Sequence, residues 1–340
     1  MSGLTGMPPP KKQDMFEVVE IDDSVAACFP EGALVIEAWP HGASFWARTA
    51  RVEVNLADGR PHTYFLKVAT GDVGKGMSRG EFEGMSALAK VVPEGVPMPV
   101  AWGTYKSNTD THFYLADFVD MLEDLPDVQK FCSMLAKLHR DSMALSPNGK
   151  FGFPVTTYEG TMYQDVTWCD TWEESFALHM KAFVDQERQV HGSDPELEAL
   201  VVPMFERVIP RLLRPLHMNG RSIKPALVHG DVWYGNIATI AENGEPIMFD
   251  PSVFWGHNEY DLDNMKVPRY RMGRHWMREY HKHFPISAPE DDYEDRINLY
   301  EIRGHLCAST LYPHTVVFHR LVIDEMRKLV AKFPNGYQGQ

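Results

Sequence analysis

The chain has 340 residues, 44% of them hydrophobic and 24% charged, with a formal net charge of −14. That length allows two lobes with separate cores, and the acidity excludes a general affinity for nucleic acid or an anionic membrane, both of which need a basic face. No apolar run approaches the roughly 18–20 residues of a membrane span; the start, MSGLTGMPPPKKQ, lacks signal or transit character and reads as a flexible leader over 1–15 on a cytoplasmic protein.

The first third alternates apolar and polar residues. SFWARTARVEV and HTYFLKVA flank LADGRP, whose Asp-Gly marks a hairpin turn. GDVGKGMS, residues 71–78, reads as a flexible loop and not as a P-loop, because no Ser or Thr directly follows Lys75. MSRGEFEGMSALAKVV has helical spacing, and VAWGTYKSNTDTHFYLADFV reads as a second hairpin around KSNTD. From about Asp127 the period becomes helical. DVQKFCSMLAKLHRDS places Phe131, Met134, Leu135 and Leu138 on one face, and SDPELEALVVPMFERVIPRLL opens with Ser193 or Asp194 as cap and Pro195 just inside. Strand-like pieces return at ALVHGD and in NIATIAENGEPIMFD, which turns on Asn243-Gly244. The C-terminal third, from Asn258 to about Phe333, is helical. The expected fold class is α+β: a small β-rich lobe with one helix over 1–118, then a larger, mostly helical lobe over 119–340. Four scattered cysteines, Cys28, Cys132, Cys169 and Cys307, lack metal or redox spacing and read as reduced thiols.

The chemistry concentrates in LVHGDVWYGN and EPIMFDPS. Asp231, four intervening residues and Asn236 reproduce the interval of a kinase catalytic loop, in which the aspartate takes the proton of the acceptor hydroxyl and the amide holds Mg²⁺. Asp250, at the end of the next apolar run, supplies a second metal ligand. The other half of a phosphotransferase needs a strand lysine paired with a helix glutamate to hold the nucleotide phosphates. FLKVA offers Lys67, and RGEFEGM offers Glu81 or Glu83. The phosphate-covering loop falls in AWPHGASFWAR, where Gly42, Ala43 and the Ser44 hydroxyl are the candidates.

With those residues in place, ALVHGDVWYGN and FDPSVFWGHNEYDL resemble the fructosamine (ketosamine) kinase family and, more distantly, aminoglycoside and choline phosphotransferases. KFGFPVTTYEGTMYQ with WCDTWEESF resembles the same family, and LAKLH, ending in His139, resembles the helix before the catalytic loop of the wider superfamily. The resemblance runs from about Ser44 to residue 330. It implies a protein-kinase-like two-lobed fold and ATP- and Mg²⁺-dependent phosphorylation of the sugar 3-hydroxyl in ketosamines, which labilises the adduct and so deglycates the amine. Carried over by position, Asp231 is the base, Asn236 and Asp250 hold Mg²⁺, and Lys67 with Glu81 orients the phosphates. Asp117, Phe118 and Val119 form the adenine-binding hinge through their backbone.

Trp233 stands where serine/threonine protein kinases commonly have a lysine. An indole suits packing on a sugar or amine, or alternatively supports the loop from the core. For His257 a structural role is favoured over the substrate contact for which it is also a candidate; Asp261 and His229 are expected to brace the catalytic loop. Two departures stand out. The phosphate loop lacks the cysteine and glycine run of several fructosamine kinases, which removes the basis for redox control there. Asp250 is followed by Pro-Ser, so no mobile activation loop is expected. The expected partner is a free or protein-bound ketosamine, met by a monomer or weak dimer. The competing readings are a choline- or aminoglycoside-type phosphotransferase and a non-catalytic pseudokinase scaffold.

Overall fold

Alternation along β-strands settles the first unit. The computed structural model describes residues 19–42, 44–122 and 124–339, so the expected leader and Ala43 lie outside the described residues. A short helix, α1 (Asp23–Ala26), is capped by Asp22, and after it come the strands β1 (Leu34–Pro40), β2 (Arg48–Asn55) and β3 (Pro61–Thr70). Helix α2 (Gly71–Ala89) follows at once, then β4 (Pro99–Thr104), β5 (Thr111–Asp117) and the two-residue β6 (Met121–Leu122). The five long strands form one antiparallel sheet in the order β1-β2-β3-β5-β4. Both expected hairpins are present. Tyr64, Leu66 and Val68 of β3 face a core shared with Val52, Val54, Leu115, Val25 and Phe29. A strand has period two, so Lys67 faces the opposite side, where α2 packs.

Residues 71–78, read from sequence as a flexible loop, are instead the first two turns of α2. Glycine content suggested a loop, but here the small residues serve close packing. A Cβ on Gly74 would stand 2.8 Å from the Ala69 carbonyl carbon, so only glycine lets the helix start so near the strand it leaves.

The second unit opens with α3 (Val128–Ser142) and a minimal hairpin of β7 (Tyr158–Glu159) and β8 (Met162–Tyr163). Helix α4 (Trp172–His191) starts in a capping box: Thr171 Oγ1 accepts from the Glu174 N–H at 3.2 Å, and the Glu174 carboxylate accepts from the Thr171 N–H at 3.3 Å. Helix α5 (Pro195–Pro203) is capped by Asp194 and continues through a wide turn at Met204–Val208 into α6 (Ile209–Leu213). Strand β9 (Ala226–Val228) then leads into His229-Gly230-Asp231.

From Asn236 to Ser252 the chain belongs to the first unit again. There β10 (Ile237–Ile240) pairs with both β11 (Pro246–Met248) and β6. Back in the second unit, β12 (Phe254–Gly256) pairs with β9, and α7 (Asp263–Lys266), α8 (Arg274–His283), α9 (Tyr293–Leu311) and α10 (Val316–Lys332) complete the chain. Trp172 centres this unit's aromatic core, with its ring 5.9–6.2 Å from those of Phe254, Tyr260 and Tyr300 and its Nε1–H donated to the Tyr300 hydroxyl at 2.8 Å.

A boundary at residue 118 is therefore too early and too simple. The first unit runs to Asp127 and also takes Asn236–Ser252, because β6 finds its ladder partner in β10 more than a hundred residues later. Among the described residues no helix is long and apolar enough to cross a membrane.

Candidate active site

In the first unit, β3 delivers Lys67 and α2 delivers a glutamate. The helix brings Glu81 to the lysine, Nζ to Oε2 at 2.8 Å, which settles the choice left open with Glu83. The same ammonium donates to Asp250 Oδ1 at 2.5 Å. Burial alone would lower the Lys67 pKa, but the carboxylates of Asp250 and Glu81 outweigh it and hold the ammonium charged. Burial pushes the Glu81 carboxyl up to about 7 against the pull of Lys67, since two acids share one cation.

Asp250 ends β11 with φ +53, in the left-handed region that few non-glycine residues occupy. Such a conformation costs about 1–3 kcal/mol and clusters at functional sites. Its side chain is 56% exposed. Asn236 donates its amide N–H to the Asp250 carbonyl at 3.3 Å, and the Asn236 carbonyl accepts from the Phe249 N–H at 3.0 Å. Both residues are thereby fixed on one small hairpin. A carboxylate and an amide oxygen are hard donors of the kind Mg²⁺ takes.

Ser44 lies in the connection between β1 and β2, as expected. Its hydroxyl oxygen accepts from the N–H groups of Trp46 and Ala47, both at 3.2 Å, and so shapes the loop locally. The hinge expectation needs correction at two positions. The Asp117 N–H donates to Met98 O at 2.9 Å and the Phe118 N–H to Thr63 O at 3.0 Å, because sheet pairing runs through both. Neither N–H is open to an adenine. The Asp117 carboxylate meets His62 at 2.9 Å, and the Phe118 ring carries the Arg51 guanidinium at 4.7 Å.

In the second unit the catalytic-loop segment hangs on one buried carboxylate. Asp261 accepts from the backbone N–H groups of His229 (2.8 Å) and Gly230 (2.7 Å). Gly230 has φ +85, a turn only glycine makes without strain. His139 of α3 donates Nε2–H to Asp261 Oδ2 at 3.0 Å. Its Nδ1 then accepts from the Tyr280 hydroxyl at 2.7 Å, whose oxygen accepts from the Asn258 amide at 3.0 Å. One direction of donation runs through the whole chain of groups. Burial would raise the Asp261 pKa, but the His139 bond and the neighbouring imidazoles and amide hold it low, so the brace stays ionised. The Asp231 N–H in turn donates to His229 Nδ1 at 3.3 Å. Tyr280 carried no motif, and Asn258 lay inside the GHNEYDL motif without being given a role; helical spacing around Tyr280 shows only a buried face.

Trp233 is half-buried. Its ring folds over Gly235, where a Cβ would come within 2.5 Å, and meets Tyr234 edge-on at 4.8 Å and Tyr270 at 5.5 Å. Burial raises the Tyr270 phenol pKa, with Asp231 and Glu159 adding to the rise. Tyr270 was not foreseen either. His257 is not a substrate contact: it is 1% exposed, with Nδ1 2.9 Å from the Tyr300 hydroxyl and Nε2 2.8 Å from Ser287 Oγ. Burial pushes its pKa down to about 3, so it is a neutral core histidine.

A model of the fructosamine kinase family matches residues 50–328. The chain belongs to the fructosamine kinase family. Among its relatives, the chloroplastic protein-ribulosamine 3-kinase of Oryza sativa subsp. japonica is 27% identical over 255 residues. That match covers 72% of this chain and 66% of the rice protein, so this chain spans a little under two thirds of that relative's length. A Thermobifida fusca protein solved as a candidate fructosamine-3-kinase superposes with a TM-score of 0.67 at 22% identity, covering 88% of this chain and 95% of that one. An aminoglycoside phosphotransferase, solved with AMP-PNP and hygromycin B, superposes at 0.60 and 14% identity over 89% and 96%. These likenesses give this fructosamine kinase family member an α+β, kinase-like fold.

Proposed function

We propose that this chain transfers the γ-phosphoryl group of ATP to the sugar 3-hydroxyl of a ketosamine, a fructosamine or ribulosamine adduct, and so initiates deglycation of the amine. The observation that carries this reading is the Lys67 ammonium held between Glu81 and Asp250, with Asp250 in a strained backbone conformation beside Asn236. When bound, ATP supplies the phosphoryl group and Mg²⁺ neutralises charge on its oxygens. Lys67 pairs with the phosphates, and Glu81 keeps the lysine in place. Asn236 and Asp250 offer the oxygen ligands.

Asp231 would accept the proton of the attacking hydroxyl as its oxygen bonds to the γ-phosphorus and the bond to the departing ADP breaks, and the Asp261 brace holds the loop that carries it. The half-exposed indole of Trp233, with Tyr270 behind it, offers an aromatic wall to the sugar or its amine. A ketosamine is favoured over choline or an aminoglycoside by family membership and by the likeness to the rice ribulosamine kinase. A cytoplasmic location belongs to the same proposal and is supported by four cysteines that are all free thiols.

The test is Mg²⁺-dependent ATP consumption against a fructosamine, a ribulosamine, choline and an aminoglycoside, with the sugar product checked for 3-phosphorylation. Turnover on a ketosamine is expected. Turnover confined to choline or the aminoglycoside would overturn the substrate, and silence on all four with Mg·ATP bound would point to a scaffold.

A further inference from the structure

A second polar cluster lies wholly within the second unit and contains none of the residues assigned to phosphoryl transfer. It is built where α4 ends, α5 begins and α10 passes. Glu187 and His191 stand one helical turn apart on α4, so their side chains share a face. His319 of α10 meets them, with Nδ1 2.7 Å from Glu187 Oε1, while His191 Nε2 is 3.7 Å from that same oxygen. The three ligand-type atoms lie within 4.8 Å of one another. Glu187 is fully buried, and the His191 and His319 side chains are only 20% and 17% exposed.

Glu187 and His319 are held as metal ligands usually are, whereas His191 gives its Nε2–H to the Ser309 carbonyl at 3.1 Å, a bond the metal would have to replace. Asp194 Oδ2 accepts from His319 Nε2 at 3.1 Å, and the aspartate is itself fixed because its other oxygen caps α5. Ser309 and Thr310 each donate a hydroxyl to one Glu187 oxygen, both at 2.7 Å. With Nε2–H committed to Asp194, the neutral His319 ring would aim the Nδ1 lone pair at a buried carboxylate. That contact is repulsive unless a proton or a cation sits between the two. A carboxylate–histidine pair pointing at further ligands is the usual outer support of a metal-bound imidazole. Burial opposes charge on His319, while the facing carboxylates of Glu187 and Asp194 favour it and raise its pKa.

We propose that Glu187, His191 and His319 bind a zinc-class divalent cation, which clips α10 to the end of α4. Two imidazoles and one carboxylate favour zinc, cobalt or nickel over magnesium. Zinc takes these ligands at about 2.0–2.2 Å, which separates ligand atoms by about 3.3 Å in a tetrahedron. The Glu187–His319 contact at 2.7 Å would open by about 0.6 Å, the Glu187–His191 contact at 3.7 Å would close by about 0.4 Å, and the two imidazole nitrogens, which lie within 4.8 Å, would close by up to about 1.5 Å. A water completes the fourth position. The two carboxylates of Glu187 and Asp194 balance the ion's charge.

The experiment uses the full chain stripped with chelator and titrated with Co²⁺, read by the visible absorption of a four-coordinate cobalt centre, with Zn²⁺ binding measured by equilibrium dialysis. One equivalent is expected, accompanied by a rise in melting temperature. His191→Gln and His319→Gln should each abolish the cobalt spectrum. Asp194→Asn, which still caps α5, should weaken binding about 10–100-fold. Asp250→Asn separates this site from the phosphoryl-transfer site and should leave the spectrum unchanged. Circular dichroism reports whether each variant folds, and His191, the most exposed of the three ligands, keeps the test decisive if His319→Gln does not. Substoichiometric binding by the wild type, or a spectrum that survives His191→Gln, overturns the proposal and leaves the cluster as a protonated-histidine ion pair.

Discussion

Asp231 and Glu81 carry opposite lessons at the scale of the residue. Asp231 stands out as the proposed base because its interval to Asn236 matches that of a kinase catalytic loop. A base supplies roughly 10²–10⁴-fold in rate, so Asp231→Asn should lower kcat by that factor while nucleotide affinity, measured by direct binding, stays near wild type. Glu81 was legible only as one of two candidates, and its charge state was not legible at all. Burial raises its pKa from the ordinary 4.5 to about 7. Between those values the folded state holds a proton that the unfolded chain releases, so the folded state binds more protons and its stability falls as pH rises through this window. Glu81→Gln should flatten that fall, as read from urea midpoints at pH 5 and pH 8. His257 takes the structural role favoured for it and not the substrate contact: a polar side chain in an informative motif can still be core.

Among the elements, the two hairpins of the first unit and the cap of α5 followed from local rules, since alternation, Asp-Gly turns and Asp194-Pro195 each act within a few residues. Helix α2 did not, because its first turns are glycine-rich and only contact with β3 makes them helical. Gly74→Ala measures that contact. Helix propensity favours alanine by about 1 kcal/mol, whereas the clash of its Cβ with Ala69 costs about 1–3 kcal/mol. The clash should win, and the urea midpoint should fall with an unchanged slope. At the expected hinge a similar contact intervenes, since the backbone of the first unit already engages the Asp117 and Phe118 N–H groups.

For the whole molecule, long-range pairs decide what local sequence leaves open. Arg303 is fully buried between Glu159, more than a hundred residues away, and Asp263, with its guanidinium 4.7 Å from the Tyr260 ring. Arg303→Met leaves both acids buried without their cation and should cost about 3–5 kcal/mol in denaturant unfolding. Replacing all three together, as Glu159→Gln, Asp263→Asn and Arg303→Met, should cost less than the single change, because the uncompensated charges go with the arginine.

The sequence by itself determined the fold class and the family, and singled out Lys67, Asp231, Asn236 and Asp250 as candidates, because loop spacing and strand period are properties of adjacent residues. Tertiary structure alone decided that Glu81 and not Glu83 meets the lysine. It also decided that Asp261, His139, Tyr280 and Asn258 form one brace, and that residues 236–252 belong with the first unit. Those outcomes depend on which distant groups pack together, and burial and pairing energies act through space with no record in the order of neighbours along the chain.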